Sequence, residues 1–189
     1  MRKKREGGLP LDFAGASGGF DGGGAELEEA KQGNVLSPTT MSLFYATDFA
    51  DQLEHTILPS LRAGFIVLAD RYIYTLMARD IVRGARREWV ESVYSVALVP
   101  DAVFYLNVNP QILVERNFQG KLTLDYWEAG MDMGLSRDWF ESFIKYQRLI
   151  HQEFKRMEEK YGFETINANR GKRAISLELQ SKIEQVLEL

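Results

Sequence analysis

Phe65-Ile66-Val67-Leu68-Ala69-Asp70-Arg71-Tyr72 decides how the rest of the chain is read. Five apolar residues follow Gly64, too few for a helix and rich in branched side chains, so the run reads as a buried parallel strand. An acid and a base follow it without a break. Working outward, Ser37-Pro38 marks a helix start, with Ser37 as cap, and a periodic stretch runs from Thr39 towards Ala63. Helices are expected near Tyr72 and near Arg87. Ala102-Val103-Phe104-Tyr105-Leu106, entered from Pro100-Asp101, is the next strand, and Pro110 opens a short helix ending near Arg116. A long amphipathic helix is expected from Ser136 to about Lys160, then a strand over Phe163 to Ile166 and a closing helix over Ile175 to Leu187. Strands alternating with helices imply an α/β fold, a three-layer parallel sheet with helices on both faces. Ligands of such sheets bind outside the carboxyl ends of the strands. That directs attention to Asp70-Arg71 and to Asn107–Asn109.

Composition narrows the function classes. A chain of 189 residues with 45% hydrophobic and 26% charged side chains is ordinary for a soluble domain with a sizeable core. The net charge of −4 gives no reason to expect nucleic acid or an acidic membrane as partner. There is no cysteine, which excludes disulfides, thiolate zinc sites and cysteine nucleophiles and fits a cytoplasmic protein. Met1 to Arg5 is basic but leads into Gly7-Gly8-Leu9-Pro10 rather than an apolar run, so it does not read as a signal peptide. His55 and His151 stand alone on expected helices, as surface or packing residues rather than zinc ligands.

At the carboxyl end of a strand, Arg71 can fork two hydrogen bonds to a phosphate while Asp70 holds the water shell of a magnesium ion. The alternative is a helix-capping Asp beside a solvated Arg, and position alone does not choose between them. Tyr45 likewise has two readings, an aromatic platform or a core tyrosine on a buried helix face.

Four stretches together are similar to the thymidylate kinase family: Ser42-Leu43-Phe44-Tyr45-Ala46-Thr47-Asp48, then Val67 to Tyr72, then Pro100 to Pro110, then Arg116. The resemblance covers about four fifths of the chain and rests on their order and spacing. It implies a P-loop kinase-like fold and transfer of the ATP γ-phosphate to a nucleoside monophosphate, dTMP foremost, with Mg2+. Asp70 and Arg71 match the catalytic step that holds the metal and the acceptor phosphate. Tyr45 matches the ring that stacks on the base, with Phe49, Tyr72 and Arg79 around the substrate. Arg116 matches the arginine near the ATP base. Lys121 and Glu128 fall in the lid, about 117–136. Nucleoside monophosphate and ATP are the implied partners, with a homodimer as an option and neither nucleic acid nor membrane. Phe49 departs from the family, which has an arginine reading the pyrimidine there, and Arg79-Asp80 replaces a glutamine-bearing segment. Base discrimination is therefore expected to be weaker, unless another polar residue such as Arg79 has taken over the reading.

The larger departure lies at the start. A phosphate loop reads G-x-x-x-x-G-K-[ST], and the nearest stretch here is Gly19-Phe20-Asp21-Gly22-Gly23-Gly24-Ala25-Glu26. Gly19, Asp21, Gly22 and Gly24 fit the pattern, but Ala25 replaces the lysine and Glu26 the hydroxyl residue. Nine of the 16 glycines fall within the first 33 residues, so 1–24 reads as a glycine-rich segment and 25–189 as the kinase-like domain, its N-terminal part incomplete. A catalytically inactive nucleotide-binding, regulatory or structural subunit is the alternative function. Leu9–Ala14 is expected to fill, weakly, the slot between Phe65–Ala69 and Ala102–Leu106, with Pro10 at its first position and Gly18–Gly24 turning where a phosphate loop would lie; the alternative is that the two flanking strands pair directly and leave 1–24 disordered.

Overall fold

The computed structural model describes residues 11–15, 36–119 and 126–188. Two compact units divide the chain, Met1–Ala97 and Leu98–Leu189.

In the first unit, β1 (Leu11–Gly15) runs parallel to β2 (Ile66–Asp70), with Leu11 opposite Ile66 and Gly15 opposite Asp70. This is one side of the insertion expected for Leu9–Ala14, displaced by one or two residues; among the described residues no ladder joins this strand to Ala102–Leu106, nor that segment to Phe65–Ala69, and Pro10 and Gly18–Gly24 lie outside the described residues. Helix α1 (Pro38–Gln52) begins as the sequence predicts. Pro38 sits in its first turn, and the Ser37 hydroxyl accepts the Thr40 N–H at 3.2 Å. A π-helical turn, Leu53–Ile57, joins it without a break to α2 (Leu58–Arg62), and the Leu58 N–H reaches back five residues to the Leu53 carbonyl. Pro59 explains the wide turn. It has no N–H to give to His55, and its ring would strike that carbonyl in a regular helix.

Helix α3 (Ile73–Val82) follows β2, and α4 (Arg87–Val93) follows a turn through Gly84. Arg83 closes α3 and Arg86 precedes α4, which accounts for the basic cluster there. The buried apolar side chains of this unit are Met41, Phe49, Leu53, Ile57, Ile73, Tyr74, Met77, Ala78, Val90 and Tyr94.

In the second unit, β3 (Phe104–Asn107) runs parallel to β4 (Glu164–Asn167), Phe104 opposite Glu164. Both strands are later than expected, β3 by two residues at its start. Val103 still contributes its carbonyl to the Glu164 N–H at 2.8 Å. Helix α5 (Pro110–Gln119) runs three residues past the expected end at Arg116. A 3₁₀ turn, Met131–Met133, precedes α6 (Trp139–Tyr161), which starts three residues after Ser136 because Asp138 is its cap, accepting the Glu141 N–H at 2.8 Å. Gly162 ends α6 in the left-handed conformation. Helix α7 (Lys172–Val186) closes the chain. Gly130 lies against α6 so closely that a Cβ there would stand 2.7 Å from Tyr146 Cβ. His151 is a packing residue, its Nδ1 3.0 Å from the Tyr105 hydroxyl.

One expectation needs correction. Phe65–Ala69 and Ala102–Leu106 read as strands buried on two faces, yet Ile66–Leu68 are half-buried, Ala69 exposed and Leu106 45% exposed. Each ladder among the described residues holds two strands, and a two-stranded sheet cannot cover both its faces.

Candidate functional site

Asp70 and Arg71 lie at the carboxyl end of β2, and both are exposed. Helix α3 starts at Ile73 with Tyr72 in the capping position and no side chain bonding its first turn. Asp70 therefore does not cap the helix, and that alternative falls. Arg71 has φ +60°, a left-handed conformation that only it and Glu188 show among the described non-glycine residues. Such a conformation costs a residue with a Cβ about 1–2 kcal/mol, and outliers of this kind gather where a site needs a side chain held at an awkward angle.

Behind this strand end lies an aromatic cluster. The Phe49 ring stands edge-on to Tyr72 at 5.3 Å and to Tyr94 at 6.1 Å, and Tyr72 meets Tyr74 at 6.2 Å. Phe49 is buried, so it is a wall and not an open base reader. Tyr45 is half-buried, one turn before Phe49 on α1, and adds to the electrostatic surroundings of the Tyr94 hydroxyl. Asp80, on α3, takes a 2.5 Å hydrogen bond from the Ser42 hydroxyl of α1. Burial raises the Asp80 carboxyl to about 6, against a lowering by the Ser42 bond, Arg83 and Arg79. Burial also pushes the Tyr94 hydroxyl up, with Asp80 adding to it. Tyr94 is 3% exposed; the Ser42 hydroxyl beside it works against the rise, although the Tyr94 hydroxyl makes no hydrogen bond of good geometry among the described residues.

The second unit gathers a different set at the ends of β3 and β4. One nitrogen of Arg116 donates to the Ala168 carbonyl at 3.0 Å and to the Arg170 carbonyl at 2.9 Å. Asn169 accepts the Asn109 N–H at 2.8 Å and donates to the Asn167 side chain at 2.9 Å, so one amide ties both strand ends. Arg170 donates to the Asn167 carbonyl and pairs with Glu178. Glu128 is exposed. Lys121, Gly19, Asp21, Gly22 and Gly24 lie outside the described residues.

A sequence profile of the family described as "Thymidylate kinase" matches residues 23–179. "Probable thymidylate kinase 2" of Saccharolobus solfataricus is 38% identical over 163 residues, 86% of this chain and 76% of that protein. The chain belongs to the thymidylate kinase family. "Probable thymidylate kinase" of Thermococcus kodakarensis is 26% identical over 82% of this chain and 69% of its own length. The Staphylothermus marinus protein of the same name is 44% identical over 75 residues, 40% of this chain. Membership brings a P-loop kinase type of fold, in keeping with the parallel strands and intervening helices. No helix among the described residues is long and apolar enough to cross a membrane.

For a thymidylate kinase family member, the structure brings Tyr45, Phe49, Tyr72 and Arg79 into one unit with Asp70 and Arg71. Arg116 stands in the other unit. Ser42, Tyr94 and Asn169 were missed as polar contributors. Ser42 and Asp80 lie 38 residues apart, and nothing local in sequence joins them. Asn169 was within reach, because Asn107, Asn109, Asn167 and Asn169 flank two strands whose carboxyl ends were already of interest.

Proposed function

We propose that this chain transfers the γ-phosphate of ATP to a nucleoside monophosphate, dTMP foremost, within a three-layer parallel sheet flanked by helices. The observation that carries the reading is Asp70-Arg71 at the end of β2, with Arg71 held at φ +60° beside an uncapped helix start. Arg71 grips the acceptor phosphate, where a guanidinium offers paired donors and the helix start favours negative charge. Tyr45 and Phe49 form the apolar wall for the base, and Arg116 stands by the ATP base. The lid, about 117–136, with Lys121 and Glu128, covers the phosphates.

Magnesium fits the donor set. No group of three or more His, Cys, Asp or Glu gathers among the described residues, and a kinase magnesium needs one or two carboxylates, its remaining ligands being water and phosphate. Asp70 would hold it through water, and bound there it would neutralise phosphate charge. Arg71 and the fixed strand end supply positioning, which is most of what phosphoryl transfer asks of a protein. A cytoplasmic location and a homodimer complete the reading.

The inactive alternative drew on Ala25 and Glu26. The relatives are named as kinases, and it finds no support in the comparisons. Missing one preorganised phosphate-loop group costs about 10²–10³ in rate, so turnover is expected to be slow and dTMP to bind more tightly than ATP. The test is chromatographic detection of dTDP from dTMP, ATP and Mg2+. No diphosphate from any nucleoside monophosphate would overturn the proposal.

A further inference from the structure

The lid expected over about 117–136 ends in a segment built onto α6. The Gly130 N–H donates to the Trp127 carbonyl and the Met131 N–H to the Tyr126 carbonyl, each at 3.1 Å, so 126–131 is a closed turn. The Tyr126 ring stands edge-on to Trp127 at 5.9 Å and to Trp139, the first residue of α6, at 6.2 Å. Ala129 is fully buried. Gly130 presses on Tyr146 with φ +63°, where a Cβ would meet Tyr146 Cβ at 2.7 Å and Cγ at 2.8 Å. Glycine is needed there for the backbone angle and for the close approach. Ser142, one turn before Tyr146 on the same helix face, is also fully buried. Further on, Lys145 donates to the Leu135 carbonyl at 3.0 Å and pairs with Glu141 at 2.8 Å, and the Ser136 hydroxyl donates to Glu141 at 2.6 Å. Glu128 is exposed, between half-buried Trp127 and buried Ala129.

We propose that Gly130, Lys145 and Tyr146 are positioning residues: they hold 126–136 on the first turns of α6 as a fixed arm and so set the place of Glu128 before any nucleotide binds. This rests on the proposed kinase function, in which Glu128 belongs to the lid. Lifting the arm would uncover Ala129 and Tyr146, the latter 2% exposed as it stands, and would release the Leu135 carbonyl. Segments that move to admit a ligand are drawn from those with few buried contacts, and this one is packed along its length. A fixed arm also suits the chemistry. Phosphoryl transfer asks mainly for positioning, and a group displaced by about 1 Å can cost about 10² in rate.

Hydrogen exchange of the full chain, read residue by residue by NMR, tests the arm, and steady-state kinetics test its purpose. Before nucleotide is added, the bonded amides of Gly130, Met131, Met133 and Gly134 should exchange about 10²-fold slower than in an unstructured chain, and dTMP, ATP and Mg2+ should change their rates by less than about threefold. Gly130→Ala should speed this exchange by about tenfold or more and leave the 147–160 stretch of α6 as it was. The same variant should lower kcat by about tenfold with KM for dTMP within about twofold of wild type. Lys145→Met, which keeps the stem and loses the donor, should act more weakly in the same direction, and Lys145→Arg should restore the wild-type values. That pair carries the test should Gly130→Ala not fold. Fast exchange over 126–136 in the free protein, or slowing by about tenfold or more on nucleotide binding, overturns the inference and leaves the kinase function standing. So does a variant with a loosened arm and an unchanged kcat. Wild-type protein that makes no diphosphate overturns the kinase function, and with it the purpose given to the arm, whatever the exchange shows.

Discussion

The two strand ends of this molecule are built on opposite plans. In the first unit, β2 ends on an exposed Asp70 and an Arg71 forced into a left-handed conformation, beside a helix start with no side-chain cap. In the second, β3 and β4 end in a knot, with Arg116 holding two carbonyls and Asn169 tying Asn109 to Asn167. Both ends carry an arginine: Arg71 is exposed in a costly backbone conformation, while one nitrogen of Arg116 bridges two backbone carbonyls. An arginine kept strained and exposed suits a ligand. An arginine nitrogen shared between two backbone carbonyls fixes the turn that carries them.

Replacing the two arginines should break or sharpen that contrast. Arg71→Ala should weaken dTMP binding by about 10²-fold, the loss of a charge-assisted contact worth up to about 3 kcal/mol, with little change in denaturant midpoint. A large stability loss with binding intact would reverse the assignment. Arg116→Ala should do the opposite, costing about 2 kcal/mol in chemical denaturation because two carbonyls lose a charged donor.

Asp80 offers a pH test inside the first unit. Its folded pKa of about 6 lies above the ordinary carboxyl value of 3.8, mainly through burial. The folded state thus holds the proton more tightly, so this group's contribution is full below about pH 4 and is lost as pH rises through about 6. After allowance for partial exposure the change is about 1–2 kcal/mol. Asp80→Asn should remove it from a stability profile measured between pH 4 and 7. The smallest effect is expected from Arg71→Gly, which relieves the left-handed strain and should stabilise the fold by about 1 kcal/mol while binding is still lost. Stability and function would then oppose each other at a single residue.

Much of this was legible beforehand. The Ser37-Pro38 helix start, the 66–70 strand and the long α6 follow from short-range pattern, because caps, apolar runs and 3.6-residue periodicity act over a few residues, whereas the parallel β1–β2 pairing was expected from the sheet order that the family resemblance implies. The error in strand burial arose because an apolar run records what a strand could bury and leaves open how many neighbours cover it.

The sequence by itself determined that an acid and a base stand at a strand's carboxyl end, that the chain resembles the thymidylate kinase family, and that residues 19–26 lack the lysine and hydroxyl of a phosphate loop. Only the tertiary structure decided that Asp70 is not a helix cap, that Phe49 is walled in by Tyr72 and Tyr94, that Ser42 grips Asp80, and that Arg116 serves the 168–170 turn. The physical reason is one of range. Backbone preference and periodicity are set by neighbours in the chain, whereas a side chain's hydrogen-bond partner and its burial depend on whatever residues folding brings beside it, here 38 and 52 positions away.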